Sequence, residues 1–430
     1  MKTYQIKQPK SKADYKGAPD TSPDLPCPVG IDLHPDIFDA VELRQGKKAK
    51  DATVTSRHCE VPAGEIATWA TTHLDPQQHL LVIEATTNTF DVVGQLADAG
   101  FSSVVVDTTQ IDKVSDAFID NDQIAAERIA RCYLTGMAKT VWVPDDRTIE
   151  RRQLLQVYTG SVADRVRANN ELKSFLTSQS IRPGQRNLEL EKNQKWLRQQ
   201  LADKLSPLQK EILDGHIANL HHAAGVRQKY YRMIVEQMLE NQDMLKCLRV
   251  VGIGMINAFA IVAIVGDVKR FANAKKLVSY LGLNPGRKTS GKGKDKKKGT
   301  GNRGRGDMRS LLIQAAQSVL NQASRAKNKN KLTRWGFRLF ARKGNRNIAV
   351  VAIARKLATA LYYILSGRES DLAEQEAPLR RKFYNLSGDI GKAGRVQLGL
   401  PEKTKDCVDH LFEKVNWTSA PAHAVASSQN

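Results

Sequence analysis

Three acidic residues far apart in this 430-residue chain have the surroundings that divalent-metal chemistry requires. Asp32 lies within Val29-Gly30-Ile31-Asp32-Leu33-His34, where apolar residues alternate with Gly30, Asp32 and His34, the period-2 pattern of a half-buried strand. Asp is depleted in strands, and a charge held mid-strand costs desolvation energy unless something pairs with it. A divalent metal would be such a partner. Glu84 ends the apolar run of His79–Ala85, and Asp122 opens a helical pattern that runs to Leu134. Converging carboxylates hold hard ions, usually magnesium, and paired ions activate the attacking oxygen and stabilise the leaving oxygen of a phosphodiester. Each acid alone also has a plainer reading: Asp32 as a turn cap, Glu84 and Asp122 as charges ahead of helix N-termini.

The elements that must position these acids follow from periodicity. Strands are expected at Val29–His34, Phe38–Leu43 and Thr53–Cys59, forming an antiparallel meander. A helix over Ala63–His73, a buried strand over His79–Ala85 and a helix over Asn88–Ala99 stopped by Gly100 come next. Ser103–Asp107 reads as another buried strand, and Asp122–Leu134 as a helix stopped by Gly136. That order is the order of an RNase H-like (RuvC-like) mixed sheet with helices on its faces, an α/β domain at 27–140 behind a flexible basic arm at 1–26.

Residues 141–247 carry apolar positions at helical spacing (Tyr158, Val162, Val166; Tyr230, Ile234, Met238), broken at Ile181-Arg182-Pro183-Gly184. They read as a coiled-coil-like spacer or dimerisation element, or as a helical linker packed on its own domain. A mainly helical domain follows at 248–368. Leu248–Ala258 has the form of a helix-hairpin-helix turn, in which Gly252 and Gly254 leave N–H groups free for a phosphate; a tight core turn needs the same glycines. Between Gly286 and Ser310 ten cations (Arg287, Lys288, Lys292, Lys294, Lys296, Lys297, Lys298, Arg303, Arg305, Arg309) face two Asp among seven Gly, a loop suited to wrapping a phosphate backbone. Ser290 in this loop is either a nucleophile toward phosphate or an ordinary loop serine. Met308–Ala323 and Ile348–Ser366 are expected helices joined by a basic link, Arg325–Arg346, and 369–430 is a polar tail without an evident role.

Composition agrees with an anionic partner. Sixty-six Lys and Arg against 45 Asp and Glu leave a net charge of +21, which favours nucleic acid through counterion release, with an anionic membrane surface as the alternative. No stretch makes a convincing membrane span: Ile253–Gly266 is short, and Ile348–Leu365 is interrupted by Arg355 and Lys356. The five cysteines form no CxxC pair, consistent with a reducing cytoplasm.

Together these residues carry a family resemblance. Gly30-Ile31-Asp32, Glu84-Ala85-Thr86, Asn121-Asp122 through Ile129-Ala130, Gly252-Ile253-Gly254, Leu281-Gly282-Leu283-Asn284-Pro285, Ser290-Gly291, Gly301-Asn302 and Ala354-Arg355-Lys356-Leu357-Ala358 occur in the order and spacing of the insertion-sequence one-ten family of transposases, also called bridge recombinases. The chain resembles that family from about Val29 to Gly367. The resemblance implies a RuvC-like DEDD domain, a coiled coil and a serine transposase domain. It also implies magnesium-dependent strand exchange guided by an RNA that pairs with both donor and target double-stranded DNA. The implied acids are Asp32, Glu84 and Asp122, and the implied nucleophile is Ser290. Dimers pairing into tetramers would combine the acidic site of one subunit with the serine of another, in a bacterial cytoplasm at the nucleoid. One position departs: the family's fourth acid, three residues after Asp122, is Ala125 here. Either the site is divergent or the substitution is a deliberate one that disables cleavage; Asp116, Asp120 and Glu127 are the nearby acids that could compensate, none of them at the one-turn spacing. A junction-resolving endonuclease using water, and a non-catalytic RNA- and DNA-binding scaffold, are the two alternative functions.

Overall fold

Strand β1 (Cys27–Leu33) is buried almost along its whole length, so the expectation of a half-buried strand is corrected. Its alternation separates two covered faces rather than core from water. Val29, Ile31 and Leu33 join Phe38, Ala40, Leu81, Ile83 and Val105 in one core, and Gly30 and Asp32 point to the other face. In this computed structural model the described residues are 27–44, 46, 51–107, 122–184, 186–201, 204–288, 296–300, 304–322, 330–372, 374 and 376–415, with backbone alone at 122–123, 285–288 and 296–300. Two compact units divide the chain at Pro144 and Asp145.

In the first unit β1, β2 (Ile37–Arg44) and β3 (Thr53–Pro62) form an antiparallel meander. Then come α1 (Ile66–His73), β4 (His79–Glu84), α2 (Thr89–Asp98), β5 (Ser102–Asp107), α3 (Asp122–Leu134) and β6 (Lys139–Val141). The six strands lie in the order β3-β2-β1-β4-β5-β6. β1, β4 and β5 run parallel, and β6 returns antiparallel on β5. Ile66, Trp69 and Ala70 of α1 and Val92, Val93 and Leu96 of α2 cover the Ile31 face. The opposite face is covered by α3, whose Ala126, Ala130 and Leu134 pack on Val41 and Leu43, and whose Ile129 packs on Val82 and Val106. A mixed sheet with helices on both faces is the expected α/β class for this region.

The second unit is mostly helical. Asp145 caps α4 (Asp146–Ser178), accepting the Thr148 N–H at 2.7 Å. After α5 (Glu191–Leu201), a capping box of Ser206 and Gln209 with Pro207 at the first helical position starts α6 (Pro207–Glu240). Arg151 donates to Gln237 near one end of the pair and Phe175 meets the His216 ring near the other, so α4 and α6 run antiparallel. Then follow α7 (Gln242–Cys247), α8 (Met255–Val265), α9 (Ala274–Tyr280), β7 (Pro285–Lys288), β8 (Lys296–Thr300), α10 (Gly306–Asn321), α11 (Lys331–Lys343), α12 (Arg346–Leu365), α13 (Glu376–Gln397) and α14 (Thr404–Lys414). The core centres on α8, buried without interruption from Ala258 to Val265.

Three expectations change here. The basic link, where it is described, forms a helix, α11. The basic loop is partly a two-stranded ribbon, with Arg287 opposite Lys297 and Lys288 opposite Lys296. The polar tail contributes Leu379, Phe383, Leu386, Leu411 and Phe412 to the core. By length and composition α12 would cross a membrane, yet half of its apolar window is buried within this unit, which is how a core helix behaves.

Candidate active site

Two strand pairings bring carboxylates to one end of the sheet. In the β1–β2 pair Asp32 stands directly opposite Asp39. In the parallel β1–β4 pair the last matched residues are Ile31 and Ile83, so Asp32 and Glu84 follow at the same level on strands about 4.8 Å apart. Glu84 shares its face with Val82, which lies under α3, and Asp32 shares its face with Gly30, also under α3. All three acids therefore belong to the helix-covered face.

Gly30 sets how closely that helix approaches. A Cβ at Gly30 would lie 2.0 Å from the Ala126 carbonyl oxygen and 2.9 Å from the Ala130 nitrogen, so only glycine lets α3 rest on β1 here. The helix runs opposite to β1: Ala126 lies over Gly30, and Leu134 clusters with Leu43 and Ala52 toward the strand's start. Asp122, one turn before Ala126, therefore opens α3 at the end of the sheet where Asp32 and Glu84 lie. Ala125 stands one turn ahead of Ile129, on the side of the helix toward β4 and β5, and is half-buried.

Asp32 is 8% exposed, with one carboxylate oxygen 3.7 Å from His34 Nε2. The loop after β4 is braced from within: Thr89 Oγ1 donates to the Glu84 carbonyl at 2.7 Å, and Asn88 Nδ2 donates to the His34 carbonyl at 3.3 Å. That bracing holds the ends of β1 and β4 side by side. Asp39, which the sequence reading missed, is 3% exposed and accepts the Glu60 N–H at 2.9 Å. Glu60 has φ +52°, at a bulge where the β2–β3 register slips between Phe38 and Ala40, so Asp39 also pins a strained turn of backbone. An Asp seven residues beyond Asp32 in the next predicted strand was the available signal, but pairing them requires knowing the hairpin's register.

Glu127 is engaged elsewhere. It accepts from Arg131 Nε at 2.7 Å and from Arg57, and although burial raises its pKa, those two guanidiniums outweigh it and hold the carboxyl below its ordinary range. Asp116 and Asp120 lie outside the described residues. Among the described residues no three His, Cys, Asp or Glu side chains form a group able to hold a metal ion; the Asp122 side chain is not among them.

In the second unit Gly252 has φ +76°, and a Cβ there would lie 2.3 Å from Val319 Cγ2, so its backbone and its close packing on α10 both demand glycine. Gly254 is the N-cap of α8, with open space where a Cβ would be. Arg287 and Lys288 lie in β7, and Lys296, Lys297 and Lys298 in β8. Ser290, Lys292, Lys294 and Arg303 lie outside the described residues. Arg305 makes a two-pronged pair with Asp307, at 3.2 and 2.6 Å. The hydrogen bond to Asp307 holds its pKa up despite burial. Arg309 reaches the Gly282 carbonyl at 3.5 Å.

Two family models match the chain: a DEDD-type model described as Transposase over residues 29–181, and one described as Transposase IS116/IS110/IS902 family over residues 247–331. A transposase for insertion sequence element IS1111A of Coxiella burnetii is 25% identical over 256 residues, which is 58% of this chain and 68% of that protein. Putative transposase y4qE of Sinorhizobium fredii is 25% identical over half of this chain and 52% of its own length. A probable family 20 transposase of Pseudomonas aeruginosa is 33% identical over 121 residues, 28% of this chain and 35% of that protein. The chain thus spans about two thirds of the first relative, half of the second and a third of the last. With both halves matched by transposase models, and the acids of the first half drawn to one sheet end, the chain belongs to the IS110 family of transposases.

Proposed function

We propose that this protein is an RNA-guided DNA transposase or recombinase of an insertion sequence, with Asp32, Glu84 and Asp122 as metal ligands and Ser290 as nucleophile. The observation that carries this reading is the convergence of Asp32 and Glu84, on one face and at one level, with the start of α3 at the same end. The order β3-β2-β1-β4-β5, with the last three parallel, supports an RNase H-like (RuvC-like) assignment for 27–140.

The donor chemistry suits a hard ion, since every candidate ligand is a carboxylate and two buried ones oppose each other. Asp32, Glu84 and Asp122 would hold magnesium, with Asp39 beside them. When bound, the ion supplies positive charge that polarises a phosphodiester. The protein's own share is nucleophilic. The Ser290 oxygen gives up its proton and bonds to phosphorus, the bond to the leaving oxygen breaks, that oxygen takes a proton, and the cut end stays esterified to the serine. Arg287, Lys288, Lys292, Lys294, Lys296, Lys297, Lys298, Arg303 and Arg309 would neutralise backbone phosphates around it. Pairing of a guide RNA with donor and target DNA, assembly of dimers into tetramers and action at the nucleoid belong to the same reading, as does a serine transposase domain at 248–368.

A magnesium-dependent covalent protein–DNA adduct, lost on Ser290→Ala, is the test. Magnesium-dependent cleavage that survives Ser290→Ala and leaves no adduct transfers the chemistry to water and to a junction-resolving nuclease, and an adduct that survives it removes Ser290 as the nucleophile. Ala125 favours a second reading, a scaffold that binds RNA and DNA without cutting. On the first reading Ala125→Asp raises plasmid recombination, whereas an Ala125→Asp protein without metal-dependent cleavage supports the scaffold.

A further inference from the structure

The helix α11 places its buried residues Leu332, Thr333 and Gly336 along one stripe. Gly336 lets it sit tightly on α12, since a Cβ there would lie 2.5 Å from Ile353 Cδ1. Lys331, Arg334, Arg338 and Arg342 recur at three- and four-residue steps on the opposite side, and all four are exposed. At about 1.5 Å per residue the row is roughly 16 Å long. Like charges four apart on a helix repel. Relief does not come from nearby in the chain, because no Asp or Glu occurs from Met308 to Arg368, while Lys and Arg number thirteen there.

At the margin of this row Phe337 is 49% exposed, with the Phe340 ring edge-on at 6.5 Å. Trp335, by contrast, is half-buried, with Lys356 Nζ 4.8 Å from its ring centre. Asn330 secures the start of the helix by accepting from the Leu332 and Thr333 N–H groups, and Gly344 at φ +65° ends it. Cations in a row opposite the buried face, beside one exposed ring, make a surface complementary to a polyanion with apolar features.

We propose that α11 docks into the major groove of duplex DNA, with Lys331, Arg334, Arg338 and Arg342 on the flanking phosphates and Phe337 against base edges. A helix about 10–12 Å across matches a B-form major groove of about 12 Å, whereas the A-form major groove of duplex RNA is too narrow for it. A phenyl ring in that groove meets the thymine methyl. The IS116/IS110/IS902 model ends at residue 331, so apart from Lys331 this surface lies beyond the residues that model matches. The inference rests on the proposed function only in taking DNA as substrate.

The test measures binding of a labelled duplex by the full chain over a salt series, in an Asp32→Asn background where no strand is cut. Arg334→Gln combined with Arg338→Gln should reduce the slope of log affinity against log salt by about two, since each phosphate contact contributes about 0.9. Phe337→Ala should leave the slope unchanged and weaken A·T-rich duplexes more than G·C-rich ones. Gln preserves helix propensity, and circular dichroism checks that the fold is retained. An unchanged slope, or an equal change with duplex RNA, overturns the assignment. Because binding is read without cleavage, failure of the catalytic reading shows up only in the adduct assay and failure of this one only in the slope.

Discussion

Asp32 and Asp39 face each other across the first two strands, 8% and 3% exposed. Like charges directly opposite in an antiparallel pair destabilise it, and burial strengthens the repulsion. Asp39 accepts from the Glu60 N–H and is hydrogen-bonded by the Cys59 thiol, and on the proposed metal-site reading its carboxylate is a candidate further donor in a chain that has Ala125 one turn after Asp122.

Magnesium should therefore stabilise the parent protein, by about 2.7 kcal/mol at a hundredfold excess over Kd. Asp39→Asn keeps an oxygen for Glu60 but loses the charge. It should melt at or above the parent temperature without divalent ions and gain less from magnesium. Thermal melts of both proteins with and without the ion check this; equal gains would remove Asp39 from the metal's surroundings.

Gly30→Ala drives a methyl into the Ala126 carbonyl, a backbone atom that cannot rotate away. A loss of about 1–3 kcal/mol is expected, toward the upper end because α3 must lift as a body. Gly94→Ala, inside α2 with nothing within 4 Å of the added carbon, is the control and should be neutral or stabilising by about 0.5–1 kcal/mol. Urea denaturation of both variants measures the difference.

Glu127 ties β3 to α3 through Arg57 and Arg131, and its carboxyl titrates below its ordinary value of 4.5. A carboxylate depressed by folding contributes stability that is present in full above the ordinary value and lost as pH falls through the lower, folded one. Stability of the first unit should therefore decline on acidification below about pH 4.5. Glu127→Gln should flatten that decline, read from melting temperatures across a pH series.

Lys382 on α13 donates to the Leu248 and Val250 carbonyls at 2.8 and 3.2 Å and pairs with Glu374 at 3.0 Å. Burial lowers its pKa, against the pull of Glu374. The pair is part-buried, with side-chain exposures of 20% and 11%, and leaving its carboxylate and the two carbonyls without their donor costs about 1–3 kcal/mol. Lys382→Met should lose stability on that scale, monitored by chemical denaturation, because α13 locks the turn between α7 and α8. A negligible loss would mean that apolar packing, not Lys382, holds the turn in place.

Several elements were legible because their signals are local. β1 alternates apolar and other residues, β4 and β5 carry apolar runs, Gly100 and Gly136 mark helix ends, and Asp32 and Glu84 stand out as charges in apolar surroundings. β6 has three residues and no apolar run, so nothing announced it. The helices α11, α13 and α14 hide sparse apolar positions, such as Leu379, Phe383, Leu386 and Ile390, among dense charge.

The sequence by itself determined which side chains can do chemistry and which segments become strand or helix, because residue type and periodicity act within a few neighbours. Only the tertiary structure decided that β1 is buried on both faces, that Asp39 opposes Asp32, and that Glu127 is held by Arg57. Those facts depend on strand register and on the seat of α3 over Gly30, which arise from packing between segments far apart in the chain.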